Sequence, residues 1–311
     1  MNERFGVGVA ILSSSFGAGA AVATRYLIGG ADPVTIAAIR FGGGALCLWP
    51  LALGLRVAWP GGRDRIAVAA LGVVFFAVFF VFYNLALRYT TVARGTLALS
   101  MLPLMTMAAG AALGIEALTR RKTVGVLIAI GGVAVALASG VASAPAGAWR
   151  GDLIMAAATL CMALYSVWSR PFVMRSSALG FLTAGMTAGA AALVVASALS
   201  GGAAQIAAFS AGAWIASLYL AVAGGALAFF LWVYALKHAS PTRVANTMTI
   251  NPLVAGVGAA LLLGEPLTAN VLVGLVAVFA GIWVATGGRN AARIDRLHCP
   301  RQSTFYRTFL C

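Results

Sequence analysis

Ala86-Leu87-Arg88, Arg94, Pro103-Leu104, Glu116, Leu118-Thr119, Gly125 and Gly132 are written a second time as Ala235-Leu236-Lys237, Arg243, Pro252-Leu253, Glu265, Leu267-Thr268, Gly274 and Gly281, always 149 positions later. In a text this rich in Ala, Gly and Leu, apolar matches arise by chance. Basic residues, Pro and Glu at one constant offset do not, so the chain is an internal duplication.

Working outward from these anchors, each copy holds five apolar runs. In the first copy they are Phe5–Thr24, Pro33–Leu55, Ile66–Leu87, Gly95–Ile115 and Thr123–Val141. In the second they are Leu153–Ser169, Ala178–Leu199, Ala213–Leu236, Val244–Gly264 and Leu267–Gly287. Most approach the roughly 20 residues a helix needs to cross a hydrocarbon core. The uncharged stretch Ser176–Leu236 is too long for one span, and Ser200-Gly201-Gly202 with Gln205 divides it. The run that opens the chain is followed by further spans rather than by a soluble domain, so it reads as a span and not as a cleaved signal.

Composition agrees. The 311 residues are 62% hydrophobic and 9% charged, with mean hydropathy +0.98. A soluble domain carries about a quarter charged residues, and a disordered chain has low hydrophobicity. Both classes are excluded. The expected fold is an all-α integral membrane protein of ten transmembrane helices. It comprises two five-helix repeats, 5–141 and 151–288, and a basic tail, 289–311. Five is odd, so the second copy enters the membrane upside down and the repeats are inverted.

The net charge of +14 then has a placement. With the N-terminus inside, sixteen Lys and Arg fall in the N-terminal segment, the inner loops and the tail, and only Arg25, Arg88, Arg94 and Arg150 fall outside. This is the positive-inside bias, and it puts both termini in the cytoplasm. Because the basic residues lie in short breaks between apolar runs, they form no phosphate-binding face, and no nucleic-acid partner is expected.

Catalytic chemistry has little raw material. There are two histidines, His238 and His298, and four cysteines, Cys47, Cys161, Cys299 and Cys311, with no metal-ligand or redox spacing. No GxxxxGK[ST] loop is present. No catalytic residue, metal or cofactor is therefore expected, and the chain is read as not an enzyme. No acidic residue lies in mid-span, which favours facilitated diffusion, or a coupling the sequence does not display, over a proton antiporter built on an embedded carboxylate.

On these motifs the chain resembles the EamA-like branch of the drug/metabolite transporter superfamily over about Gly8–Gly287. The ends of the repeats carry the resemblance. One reads Ala86-Leu87-Arg88-Tyr89, Pro103-Leu104 and Glu116. The other reads Ala235-Leu236-Lys237-His238, Asn251-Pro252-Leu253 and Gly264-Glu265-Pro266-Leu267. The first copy has Ile115-Glu116-Ala117 and lacks the flanking Gly and Pro. The resemblance implies ten helices, a cell inner membrane location, a central cavity and transport of small metabolites. Relatives include exporters of aromatic amino acids and threonine, and others handle purines, drugs or sugar conjugates. The expected function is export or facilitation of amino acids by alternating access. Purine, drug or sugar-conjugate export is the alternative, and a non-transporting membrane scaffold is the reading from another class. The expected partners are a small-molecule metabolite and membrane lipids, with a monomeric transport unit.

The polar and aromatic residues of the spans are the candidate site. Arg40 is the one charge inside an apolar run; it either meets a substrate carboxylate, or reaches the headgroups, or pairs with Asp32. Phe79, Tyr83 and Asn84 of span 3, Tyr165 and Trp168 of span 6, and Trp232 of span 8 offer rings and amides to an amphipathic ligand. These rings serve equally as lipid-facing packing or an interfacial belt. Trp232 is the repeat partner of Tyr83, and Tyr165 that of Phe16. Asn246 and Asn251 in span 9 and Ser100 in span 4 add polar atoms. Pro103 and Pro252 are expected to kink spans 4 and 9 and serve gating. Glu116 and Glu265 read as anchors at helix ends. Arg94 and Arg243 either rim the two mouths of a pore or meet headgroups.

Overall fold

A computed structural model describes residues 3–113, 120–139, 147–239, 241–265 and 269–286. Glu116 and the tail 289–311 lie outside them. Every described element is helical or a connection. The principal helices are α1 Glu3–Leu27, α2 Pro33–Gly54, α3 Asp64–Tyr89 and α4 Val92–Ala112, and α5 Arg120–Ser139. Then come α6 Ala148–Arg175, α7 Ala178–Leu199, α8 Ala211–His238 and α9 Arg243–Leu263, and α10 Ala269–Thr286. A short helix, Gly202–Ala207, links α7 to α8.

In lipid every backbone N–H and C=O must be satisfied within the segment, which is why uncharged runs of Ala, Leu, Val and Gly become helices. Eight helices are long and apolar enough to cross a membrane, and two shorter apolar stretches, Thr123–Gly132 and Leu272–Gly281, lie in α5 and α10. The expected ten spans thus become eight of full length plus these two among the described residues. The exposure pattern is that of a lipid-facing protein. Leu46, Leu199 and Leu261 are 74%, 85% and 80% exposed, while Ser14, Thr35, Arg40, Asn84 and Asn251 are buried.

The helix starts follow the sequence. Asp32, Thr91, Ser177 and Ser210 each accept a backbone N–H of the first turn. Asp32 is the most engaged. Its carboxylate accepts from Val34 N, Thr35 N and Thr35 Oγ1 at 2.8–3.0 Å, and its own N–H donates to Gln205 Oε1 at 2.8 Å. Burial works against its charge, but the bonds from Thr35, Gln205 and Val34 prevail and hold the carboxyl below its ordinary value. The stabilisation is therefore present above the unfolded pKa and disappears as pH falls through the lower folded value. Asp32→Ala is expected to cost about 1 kcal/mol at neutral pH, with the deficit shrinking at acid pH, both read from thermal unfolding of the purified protein. At the other end of the fold's sequence, α9 stops at Gly264 with φ +68°. That left-handed turn lets Glu265 N donate to Ala259 O at 3.3 Å, closing the helix end as a glycine cap does.

Irregularities recur at the repeat offset. A π-helical segment occupies Val73–Phe79 in α3 and Val222–Leu227 in α8. Helix α4 breaks at Ser100–Met101, just before Pro103. Helix α9 narrows to a 3-10 turn over Thr247–Ile250, just before Pro252. The proline removes a helical N–H and crowds the preceding turn, so both helices change pitch at that point. Contacts between elements also come in exchanged pairs. Helices α2 and α7, α4 and α9, and α5 and α10 pack on one another, as do α1 with α8 and α3 with α6.

Close crossings rest on small residues. Gly72 of α3 lies so near Gly185 of α7 that a Cβ on Gly72 would come within 2.6 Å of Gly185 Cα. A Cβ on Gly43 of α2 would come within 2.6 Å of the Ala221 Cβ of α8. Such contacts are how helices associate where no hydrophobic force acts between them.

Candidate functional site

The middle of the molecule is a cluster of rings. Phe75 lies at its centre, stacked on Tyr165 (centroids 4.0 Å, planes 7° apart) and on Phe79 (5.1 Å, 8°). Phe76, Phe80 and Phe229 meet Phe75 edge-on at 4.9–5.7 Å, and Phe41 packs on Phe80 at 4.4 Å. Helices α2, α3, α6 and α8 all contribute. The π segment of α3 makes this possible, because its wider pitch turns Phe75, Phe76 and Phe79 all inward.

Arg40 lies against this cluster and is 3% exposed. It reaches neither the headgroups nor Asp32. Its Nε and Nη2 both donate to the carbonyl of Gly224, at 3.2 and 2.7 Å. Its guanidinium carbon lies 4.6 Å from the ring centre of Phe80, 5.4 Å from Phe41 and 5.6 Å from Phe229. Gly224 is halfway along the 28-residue α8, so the charge sits at mid-depth. No carboxylate among the described residues pairs with it.

A second polar group joins α1, α8 and α9. Ser13 Oγ donates to Ala228 O at 2.7 Å. Ser14 Oγ and Thr247 Oγ1 are 2.8 Å apart, and Thr247 Oγ1 also donates to Ala10 O and Val244 O. Asn251 Nδ2 donates to Met248 Sδ at 3.0 Å, whereas Asn251 Oδ1 has no partner among the described residues. One turn beyond Ala228, Trp232 is 1% exposed and its Nε1–H is likewise without a partner among the described residues. Each such buried group costs about 1–3 kcal/mol.

The remaining candidates scatter. Asn84 is buried near one end of the bundle, where its Nδ2 donates to Pro33 O at 2.9 Å and its Oδ1 is unpaired. Ser100 is spent on its own helix, donating to Thr96 O at 2.9 Å. Tyr83 is buried beside Phe79 and Phe80. Asn246 is partly buried. Trp168 is 39% exposed, one turn from the buried Tyr165 and on the outer surface. Phe41, Phe75, Phe76, Phe80 and Phe229 were not among the sequence candidates. The available signal was the pair Phe75-Phe76 with Phe79-Phe80 four residues on, at helical spacing, and Phe41 beside the lone arginine.

One end of the bundle is tied by charge. Arg94 of α4 meets Asp152 of α6 at 2.7 Å, with side chains 8% and 12% exposed. Arg25 of α1 meets Glu265 at 2.9 Å and donates to Leu87 O. The second oxygen of Glu265 accepts Val92 N at 2.9 Å, capping α4. Glu265 is thus an anchor at the start of a helix from the other repeat. Arg94 is buried rather than in headgroups. At the opposite end Arg175 meets Asp64 at 3.2 Å in a more exposed pair.

A many-span helical protein, with kinked helices meeting a polar and aromatic centre, is the architecture of a membrane transporter. The chain belongs to the EamA-like transporter family, whose profile matches it twice, over residues 4–138 and 149–287. As a member of that family it transports small molecules and is not an enzyme. It is similar to the uncharacterized transporter YyaM of Bacillus subtilis (strain 168), with 24% identity over 284 residues, covering 90% of this chain and 92% of that one. It is also similar to an uncharacterized transporter of Archaeoglobus fulgidus, 24% identical over 287 residues, covering 90% and 98%. A crystal structure superimposes with TM-score 0.66 at 21% identity, covering 94% of this chain and 98% of that one. That likeness concerns the fold alone.

Proposed function

We propose that this protein exports or facilitates the passage of amino acids, neutral or aromatic ones best, across the cell inner membrane by alternating access. The observation that carries the reading is the pairing of α4 with α9. Both are broken at repeat-related positions, they pack on one another, and Asn251 Oδ1 at the break has no partner among the described residues. A broken helix at mid-depth frees polar groups for a substrate.

In this reading residues 5–141 and 151–288 are inverted repeats that rock about the ring cluster. Exchanged packing of α1 on α8 and α3 on α6 supports that relation. Both termini are cytoplasmic, which the bias of basic residues supports. The Arg25–Glu265 end then faces outward, and the two ion pairs between halves close it. The transport unit is a monomer in contact with lipid. The ring cluster takes an apolar side chain, while Asn251 and Trp232 bond polar atoms.

Counterflow in liposomes holding the purified protein, with labelled amino acids, purines and sugars, tests this. Saturable counterflow of an aromatic or neutral amino acid is expected. Asn251→Leu and Trp232→Phe are each expected to lower it tenfold or more, about 1.4 kcal/mol in transition-state terms. Purine or sugar counterflow in place of amino acids would replace the substrate assignment. Wild-type rates from Asn251, Trp232 and Trp168 variants alike would remove these residues from the site.

A further inference from the structure

Arg40 poses a problem that the hydrogen-bond pattern leaves unsolved. A guanidinium has five N–H donors in a planar fork suited to a carboxylate. Here the protein offers one carbonyl, that of Gly224, to two of its nitrogens. Three ring faces at 4.6–5.6 Å supply the rest of its electrostatic environment. A charge at the centre of a membrane helix costs roughly 2.5–3.5 kcal/mol even on insertion scales, and no carboxylate among the described residues pairs with it.

The packing does not need that charge. Helix α7 crosses the π segment of α3 as α2 crosses the π segment of α8. At the repeat position of Arg40, 149 residues on, stands Gly189. A Cβ on Gly189 would come within 2.6 Å of Phe76 Cβ and 2.7 Å of Gly72 O. The same crossing is therefore built in the other half with no side chain at all. Arg40 is an addition to one half, not a requirement of the architecture.

The acids of the chain are all elsewhere. Seven Asp and Glu exist. Asp64, Asp152 and Glu265 are paired with arginines at the bundle ends, and Asp32 caps α2. Glu3, Glu116 and Asp295 also lie outside the apolar runs. Among the described residues no carboxylate is paired with Arg40. The hydroxyl-bearing rings near Arg40 are Tyr83 of α3, which is buried, and Tyr219 of α8, whose hydroxyl donates to Phe16 O at 3.3 Å.

We infer that the site around Arg40 recognises the carboxylate of an aromatic substrate, and that the α-amino group of an amino acid is dispensable to this recognition. The carboxylate takes the edge of the guanidinium that the Gly224 carbonyl leaves free, and the ring packs beside Phe41, Phe80 and Phe229, which surround that group. No ion pair joins Arg40 to a carboxylate among the described residues, so the carboxylate and the ring carry the recognition and the ammonium of an amino acid adds little to it. This narrows the substrate of the transport proposed above and rests on that reading, since Arg40 is closed off here and is reached only when the rings part.

The test separates the two. Binding of 3-phenylpropionate, phenylalanine, phenylalaninamide and phenethylammonium to the purified full chain is measured by calorimetry, and counterflow of the same compounds is measured in liposomes at pH 8, where the acid is ionised. The expected result is that 3-phenylpropionate binds within tenfold of phenylalanine, and that phenylalaninamide and phenethylammonium do not compete. Arg40→Gln is expected to lower 3-phenylpropionate binding tenfold or more while its thermal midpoint stays equal or rises, because an unpaired buried charge has been removed. Arg40→Lys, which keeps the charge without the fork, is expected to fall between. Phenylalanine binding more than tenfold tighter than 3-phenylpropionate, competition by either amine, no binding of 3-phenylpropionate, or unchanged binding in Arg40→Gln overturns the inference. Acid binding without counterflow leaves Arg40 as its site and overturns the transport reading instead. Counterflow of amino acids with no preference for the carboxylate does the reverse.

Discussion

Asp152→Asn is expected to destabilise the protein by about 3–5 kcal/mol, the cost of stranding one partner of a buried ion pair. The pair it breaks, Arg94–Asp152, is 2.7 Å long with both side chains nearly buried, and Thr90 Oγ1 donates to the other carboxylate oxygen at 3.3 Å. The substitution keeps the shape and removes the charge, so Arg94 loses its carboxylate in a medium of low dielectric. The fall is read from thermal unfolding in detergent and is expected to be nearly independent of salt. Asp64→Asn is the control. Its pair with Arg175 is far more open to solvent, with side chains 46% and 28% exposed, so it is expected to move stability by no more than about 1 kcal/mol and to lose that in high salt. Arg94→Met combined with Asp152→Leu is expected to recover most of the stability, as apolar replacement of a buried pair commonly does. Equal small effects from Asp152→Asn and Asp64→Asn would show that the outer pair is wet. The functional consequence follows from connectivity, since Arg94 and Asp152 belong to different repeats.

Gly72→Ala is expected to abolish the folded monomer. The added methyl would overlap the backbone of Gly185, coming within 2.6 Å of its Cα, and backbone does not rotate aside as a side chain does. Overpacking of a core by a methylene costs about 1–3 kcal/mol when side chains yield; here α3 and α7 themselves must separate, which also drags Phe75 and Phe76 from the ring cluster. Gel filtration of the solubilised protein reads the outcome. Gly17→Ala is the matched control, because a Cβ there meets nothing within 4 Å, and it is expected to be neutral or stabilising by up to about 1 kcal/mol. A monodisperse Gly72→Ala peak with an unchanged thermal midpoint would mean that the helices cross less tightly.

The π segments show where sequence reasoning stops. Val73–Phe79 and Val222–Leu227 sit at the same place in the two copies, yet VVFFAVF and VAGGAL share little text. A π turn is a local adjustment to what packs across it, here α7 and α2, so its cause lies outside the segment. The kinks of α4 and α9 were legible because proline acts within its own helix. Arg40 was legible as an oddity, since charge in an apolar run is visible in the text. Its partner was not. A headgroup, Asp32 and a substrate were all consistent with its position, and only the approach of Gly224, permitted by two adjacent glycines, put a carbonyl there. Trp168 and Tyr165 illustrate the same limit. They are one turn apart and look alike in sequence, but one faces outward and the other stacks on Phe75.

The sequence by itself determined that this is a duplicated, helical, membrane-embedded transporter of the EamA-like family. Those properties depend on hydropathy, on charge placement and on repeated text, each of which is additive along the chain. The tertiary structure alone decided which side chains meet: the ring cluster around Phe75, the burial of Arg40 without a counter-ion, and the Arg94–Asp152 and Arg25–Glu265 ties between halves. The helices are uniformly apolar and carry small residues on several faces, so hydropathy does not tell one face from another. Which face turns inward is set by backbone approach at glycines and by the pitch of the π segments, and these exist only once two helices are packed.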